Sequence, residues 1–297
     1  MCIKEKLYAF LPRDLADTVL ESNAETALEI RLRAGEPARI RYPRGSKTLD
    51  VRVDKEMLLH ILQRICGYSL YACAGDMARG FVTAGGWRVG IGGEVNFTGG
   101  ESRGIKTVSS LNIRISRQIN GCADKLMPYI MHGGAAEDTL IASPPICGKT
   151  TLLRDIARQV SDSGLNTAII DERCEIAALD SGGIPCFDVG GNTDVISGCK
   201  KSVGALMALR SLAPQVMILD EIGTKDDMQA IYDAGKGGCS VICSVHCGNA
   251  EDMLKRRYLR PLIEDRLFGR IVFLCGTGEI SAVLDRDGED IWQKRQA

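Results

Sequence analysis

Residues 139–151 read TLIASPPICGKTT, a short apolar run that turns through Gly-Lys-Thr and continues as TLLRDIARQV, whose apolar residues recur at helical spacing. This stretch constrains the fold more than any other, because a strand entering a helix through such a loop is the phosphate-binding element of α/β domains. In that element the loop N–H groups and the positive helix end surround a β-phosphate. Lys149 reaches the β and γ oxygens, and the Thr150 hydroxyl ligates Mg²⁺. The expected phosphate-binding set is Ser143, Pro144, Pro145, Ile146, Cys147, Gly148, Lys149, Thr150 and Thr151. Ser143 takes the first glycine position of G-x-x-x-x-G-K-[ST], the Walker A pattern. Pro144-Pro145 would pre-set the loop that this change and Ile146 restrict.

A partner motif lies 71 residues beyond Lys149, where the apolar run Val216-Met-Ile-Leu ends in Asp220 and Glu221. Read as a Walker B strand, it places Asp220 on Mg²⁺ and Glu221 on the water that attacks a γ-phosphate. Because the glutamate is present, hydrolysis is expected rather than passive nucleotide binding. Between the two motifs, AIIDERCEI is a further strand ending in Asp171, Glu172, Arg173 and Glu175. Acidic residues at the carboxyl end of a parallel strand point into the ligand crevice of an open sheet. CSVICSVH is a strand that ends in His246, expected beside the Walker B strand and able to sense the γ-phosphate. Its Cys239, Cys243 and Cys247 invite a metal reading. In a strand rising ~3.3 Å per residue, however, neighbours in the trio are ~13 Å apart, so small buried thiols are expected.

Repeated strand-then-helix runs from Asp138 onward, short and rich in β-branched residues, describe a doubly wound parallel sheet. The preceding part has another texture. Ten of the thirty residues from Gly75 to Gly104 are glycine, and GFVTAGGWRVGIGGEVNF reads as hairpins or bulged strands. LEIRLRAGEPARIRY reads as two strands around Ala34-Gly35-Glu36-Pro37. After it, Leu58, Ile61, Leu62, Ile65 and Cys66 keep helical spacing behind Asp54 as N-cap. The fold class expected is therefore α/β, with a smaller N-terminal α+β domain at 1–120, a linker at 121–138 and the phosphate-binding domain at 139–297. A chain of 297 residues accommodates two such domains at about 150 residues each.

Lys+Arg 37 against Asp+Glu 38 leaves no global field for an anionic partner. No apolar run approaches the ~18 residues of a spanning helix, and no signal peptide opens the chain, so a cytoplasmic protein with reduced cysteines is expected.

The segments EIRLRAGEP, GYSLYA, GGWRVGIGGE, SLNIRISRQINGCA, SPPICGKTTLLRDIAR, IIDERCEIA, GCKKSVGALMALRSLAPQVMILDEIG and SVHCGNAEDM resemble the stage III sporulation protein AA family, itself related to the hexameric secretion and pilus-retraction ATPases. The resemblance implies a C-terminal RecA-like P-loop ATPase domain, a homohexamer binding ATP at subunit interfaces, and a place in a membrane-embedded secretion-like complex between mother cell and forespore. A peripheral position at the mother-cell membrane follows from it. It further implies an acidic box at Glu172-Arg173-Cys174-Glu175 and a histidine box at His246. Ile146 stands where the family usually has glycine. Arg114 and Arg117 occupy the strand where related motors hold arginines that reach a nucleotide, and a planar five-donor guanidinium suits a γ-phosphate.

The alternative from another class is a nucleic-acid-stimulated P-loop ATPase. From Arg31 to Lys55 there are eight basic residues against three acidic ones, an excess that could follow a phosphate backbone. Tyr42 is the only aromatic there to stack on a base, so no nucleic-acid partner is expected.

Overall fold

The computed structural model describes residues 2–292 apart from 72, 99, 100, 146, 181 and 277, and the backbone alone at 97, 98 and 101–103. Ile146 thus lies outside the described residues. The chain forms two compact units, one of residues 1–117 and 180–186, the other of residues 118–179 and 187–297.

In the first unit, α1 (Ile3–Phe10) and α2 (Arg13–Glu21) precede β1 (Glu29–Arg33), β2 (Pro37–Tyr42) and β3 (Gly45–Arg52). After these come α3 (Lys55–Ile65), α4 (Ala74–Ala78), β4 (Phe81–Ala84), β5 (Trp87–Thr98) and β6 (Glu101–Arg114). The strands make an antiparallel sheet in the order β3-β2-β1-β6-β5-β4. Period-two alternation decides its faces. Ile30, Leu32, Ile40 and Ile113 are buried in one core with Leu7, Leu15, Leu58, Ile61 and Trp87. The intervening Arg31, Arg33, Arg39 and Arg41 turn to the other face. As the spacing predicts, α3 buries Leu58, Ile61, Leu62 and Ile65, and the Asp54 carboxylate caps it by accepting from the Met57 N–H at 2.7 Å. The glycine run becomes β5, whose pairing with β6 slips at Gly92/Gly93. A Cβ on Gly93 would stand 1.9 Å from the Thr107 carbonyl oxygen, so only glycine allows the two strands this approach.

The second unit opens with α5 (Met127–Ile130) and the small hairpin β7 (Met131–His132) and β8 (Ala135–Ala136). Then follow β9 (Thr139–Ser143), α6 (Lys149–Asp162), β10 (Thr167–Asp171), β11 (Thr193–Ser197), α7 (Lys201–Ser211), β12 (Val216–Leu219), α8 (Lys225–Lys236) and β13 (Ser240–His246). The last elements are α9 (Ala250–Lys255), α10 (Arg260–Glu264), β14 (Arg270–Cys275) and β15 (Glu279–Leu284). The large sheet runs β11-β10-β12-β13-β9-β14-β15. Every pair in it is parallel except β14 with β15.

Both faces of this sheet are covered, which is why its strands read as continuous apolar runs. Leu140, Ala142, Ile170, Leu219 and Cys243 share a core with Ala205 and Ala208 of α7 and Ile231 of α8. Ile141, Ile169, Ile218 and Ile242 share another with Leu152, Leu153, Ile156 and Val160 of α6. Cys239, Cys243 and Cys247 are all buried, and burial drives the Cys243 thiol well above its usual range.

Candidate nucleotide site

At the carboxyl edge of the sheet, β9 ends in the wholly buried Ser143, and α6 begins at Lys149. The turn between them needs Gly148, which sits at φ 84° as the N-cap of α6. This helix start has no side-chain cap, in contrast to α3 and to α8, where Thr224 and Asp227 form a capping box. The first N–H groups of α6 are therefore left for an acceptor, at the end where the helix dipole favours negative charge. Cys147 is buried, and its carbonyl accepts the Gly278 N–H at 2.9 Å, which ties the loop to the turn after β14. Pro144 and Pro145 are exposed, and the Thr151 carbonyl accepts from the Cys122 thiol.

Lys149 folds back over the strand end. Its ammonium shares three N–H groups among four acceptors, the Ser143 carbonyl (3.2 Å), the Ser143 hydroxyl (3.0 Å), the Pro144 carbonyl (3.1 Å) and His246 Nδ1 (2.9 Å). An ammonium has donors alone, so this contact fixes the imidazole as the Nε2–H tautomer. Burial holds Lys149 below its usual range, with Asp220 and Glu221 pulling the other way.

Strand order makes the next link. β13 lies between β9 and β12, in register His246↔Ser143 on one side and Cys243↔Leu219 on the other. His246 therefore stands between the phosphate-loop lysine and the acidic end of β12, with its Nε2–H 2.7 Å from Glu221 Oε1. Glu221 Oε2 accepts from Arg173. Asp220 accepts the Thr150 hydroxyl on Oδ2 at 2.8 Å and the Ser244 hydroxyl on Oδ1 at 2.5 Å. Burial raises the Asp220 carboxyl above its usual range against these two donors. Glu221 adopts φ 49°, a strained conformation for a non-glycine residue that recurs where a side chain must be aimed at a site.

The loop after β10 is held as firmly. The buried Asp171 carboxylate accepts the backbone N–H groups of Glu175, Ile176, Ala177 and Ala178 at 2.8–3.1 Å. Arg154 of α6, 3% exposed, donates to the carbonyls of Ile176 (2.6 Å) and Glu175 (2.7 Å) and lies over the Phe187 ring. Burial lowers this guanidinium to about 10. Glu172 pairs with the buried Lys201 of α7.

Asp171→Ala removes the common acceptor of four backbone N–H groups, those of Ile176, Ala177 and Ala178 being buried. A loss of at least ~3 kcal/mol is expected, since hydrogen bonds to a charged group contribute ~1.5–3 kcal/mol each without adding fully. Urea unfolding measures it, and a loss under ~1 kcal/mol would deny Asp171 this role.

Arg114 and Arg117 belong to the first unit. There Arg114 lies 3.6 Å from Glu29, and Arg117 donates to the carbonyls of Ala24 and Ala27. Two further residues of the crevice, Ser244 and Arg154, escape motif reading. Ser244 could have been found as a polar residue on the His246 face of an otherwise apolar strand. Arg154 carries no sequence signal beyond lying near the motifs, and Arg173 is legible only as a member of the acidic box, without its pairing to Glu221.

The chain matches the family described as sporulation stage III, protein AA over residues 3–291. It is also 39% identical over 291 residues to stage III sporulation protein AA of Bacillus subtilis (strain 168), covering 94% of each chain. The chain belongs to the sporulation stage III protein AA family.

Among solved structures it is similar to the ATPase DotB of Legionella pneumophila, with TM-score 0.61, 15% identity, and coverage of 89% of this chain and 76% of that one. It is likewise similar to the pilus retraction motor PilT with bound ADP, with TM-score 0.55, 14% identity, and coverage of 86% and 76%. At these identities the likeness shows the fold alone, a RecA-like α/β domain with a smaller N-terminal domain. In this member of the protein AA family the carboxyl ends of β9, β12 and β13 bring together Lys149, Thr150, Asp220, Glu221 and His246, whereas Glu172 after β10 pairs with Lys201. No described helix of the chain is long and apolar enough to cross a membrane.

Proposed function

We propose that this chain is a Mg²⁺-dependent ATPase that acts as the motor of a secretion-like complex. The observation that supports this most is the linked pair of contacts Thr150–Asp220 and Lys149–His246–Glu221, which brings the phosphate-loop helix and the acidic strand end into one site. The donor set suits Mg²⁺, a hard cation usually held by one or two protein oxygens together with substrate phosphates and water. Thr150 would hold it directly and Asp220 through water. Bound there, the ion would offset charge on the β and γ phosphates.

The protein's own residues supply the rest. Gly148 and the uncapped N–H groups of α6 would receive the phosphates with Lys149, and Glu221 would orient the attacking water. His246 would couple these two groups, since a phosphate that draws Lys149 away also changes what His246 offers Glu221. Glu172 and Glu175, in the rigid loop after β10, complete the acidic wall. Arg114 or Arg117 would serve the site of a neighbouring subunit, so that assembly and turnover are linked. The ring would be a homohexamer, in the cytoplasm against the mother-cell membrane, working with membrane-embedded components of a mother-cell-to-forespore complex.

The basic strands of the first unit give the nucleic-acid alternative little support. Tyr42, the one aromatic of that segment, donates its hydroxyl to the Ser22 carbonyl, and Glu29 sits among Arg31, Arg41 and Arg114.

Light scattering with and without a non-hydrolysable Mg·ATP analogue tests the motor reading. The expected result is a shift from one-chain mass to about six chains, a closed ring. A monomer that hydrolyses Mg·ATP at an unchanged rate at every protein concentration would contradict it.

A further inference from the structure

Arg173 lies next to the proposed catalytic groups and has no part in the reading above. The loop just after it is held from two sides, by the Asp171 carboxylate that gathers the N–H groups of Glu175 to Ala178 and by Arg154, which holds the carbonyls of Glu175 and Ile176. Its side chain is 55% exposed and so keeps room to swing. In the chain as it stands, the Arg173 guanidinium pairs with Glu221 Oε2 while His246 takes Oε1. Both oxygens of the proposed base are therefore engaged. A carboxylate committed in this way is poorly placed to accept a proton from water.

The contacts run on without a break from Arg173 to Glu221, from Glu221 to His246 and from His246 to Lys149. Arg173 thus stands three contacts from the ammonium that would hold the β-phosphate, beside the carboxylate that would face the attacking water. A terminal phosphate offers a guanidinium fork more charge and two acceptors, whereas the carboxylate offers it one. A diphosphate lacks that terminal group.

Building on the nucleotide site proposed above, we propose that Arg173 reads the γ-phosphate within its own subunit, exchanging Glu221 for the terminal phosphate of a bound nucleoside triphosphate. The exchange releases Glu221 Oε2 at the moment a substrate able to be hydrolysed is in place. Triphosphate and diphosphate are thereby told apart, and the empty site is kept from idling.

The test uses the full chain and its Arg173→Gln and Arg173→Lys variants, titrated calorimetrically with Mg·ADP and with the Mg complex of β,γ-imido-ATP. For Arg173→Gln, ADP affinity should stay within about twofold while affinity for the triphosphate analogue falls at least ~10-fold, the scale of a lost charge-assisted contact. Arg173→Lys should fall between Gln and wild type, because it keeps the charge and loses the fork. An analogue-to-ADP affinity ratio unchanged in Arg173→Gln would overturn the assignment and leave the nucleotide site standing. A wild-type chain that binds neither nucleotide would overturn both readings.

Discussion

Glu221→Gln is expected to bind Mg·ATP about as tightly as the unmodified chain while releasing phosphate at least ~10²-fold more slowly, the usual loss on removing a general base. Size and shape are kept, and the Gln carbonyl still accepts from His246 Nε2–H, so the strained turn at φ 49° has no new reason to relax. Only proton acceptance and the charge facing Arg173 are lost. ATP-bound assemblies should then accumulate, because the step that relieves them is blocked. Asp220→Asn should behave differently. Asp220 receives hydroxyls from Thr150 and Ser244, so its change should weaken the Mg²⁺-dependent part of binding. Mg·ATP titration with phosphate release separates the two phenotypes. If Glu221→Gln turned over at the wild-type rate, the base would lie elsewhere, with Glu172 and Glu175 next in line.

How much of this was legible in the sequence depended on how strongly local chemistry fixed each element. Strands β9, β10, β12 and β13 could be read because burial on both faces leaves uninterrupted β-branched runs. Helix α3 could be read because its apolar stripe and its cap agree. The neighbouring placement of β12 and β13 followed from the parallel-sheet expectation and is seen in the register Leu219↔Cys243. Other elements were less legible. β11 (TDVIS) lies at one edge with no residue of it buried, so little apolar pattern marks it, and β15 (EISAVL) at the opposite edge buries Val283 alone. The run RIVFLC of β14 carries a strand signal but no motif of its own. Within the site, the types and positions of Lys149, Thr150, Asp220 and His246 were readable from spacing. The clamp of Asp171 on the following loop was not, because a carboxylate accepting several main-chain N–H groups leaves no pattern beyond a single acidic residue at a strand end. Nor was the Arg173–Glu221 pair, which joins residues 48 apart in sequence.

Lys149→Ala should lower Mg·ATP affinity and abolish most hydrolysis. Replacing a charged donor to phosphate costs ~1.5–3 kcal/mol, or about 10- to 150-fold in affinity. The ammonium is held by Ser143, Pro144 and His246 rather than by a carboxylate, and burial disfavours its charge. An incoming anion therefore competes with neutral partners and relieves that cost, so the phosphate contact falls at the upper end of the range. Removing the side chain also cuts the link to His246 and Glu221, so turnover should fall further than binding. Lys149→Met, which keeps most of the side-chain volume, guards against a collapse of the buried pocket around Ser143. The measurement that bears most directly on the phosphate site is a calorimetric Mg·ATP titration of the wild-type chain beside folded Lys149→Ala. Saturable binding by the wild type and a loss of ~10-fold or more in the variant are predicted. Equal affinities in the two would contradict the assignment of Ser143–Thr151 as the nucleotide-binding loop.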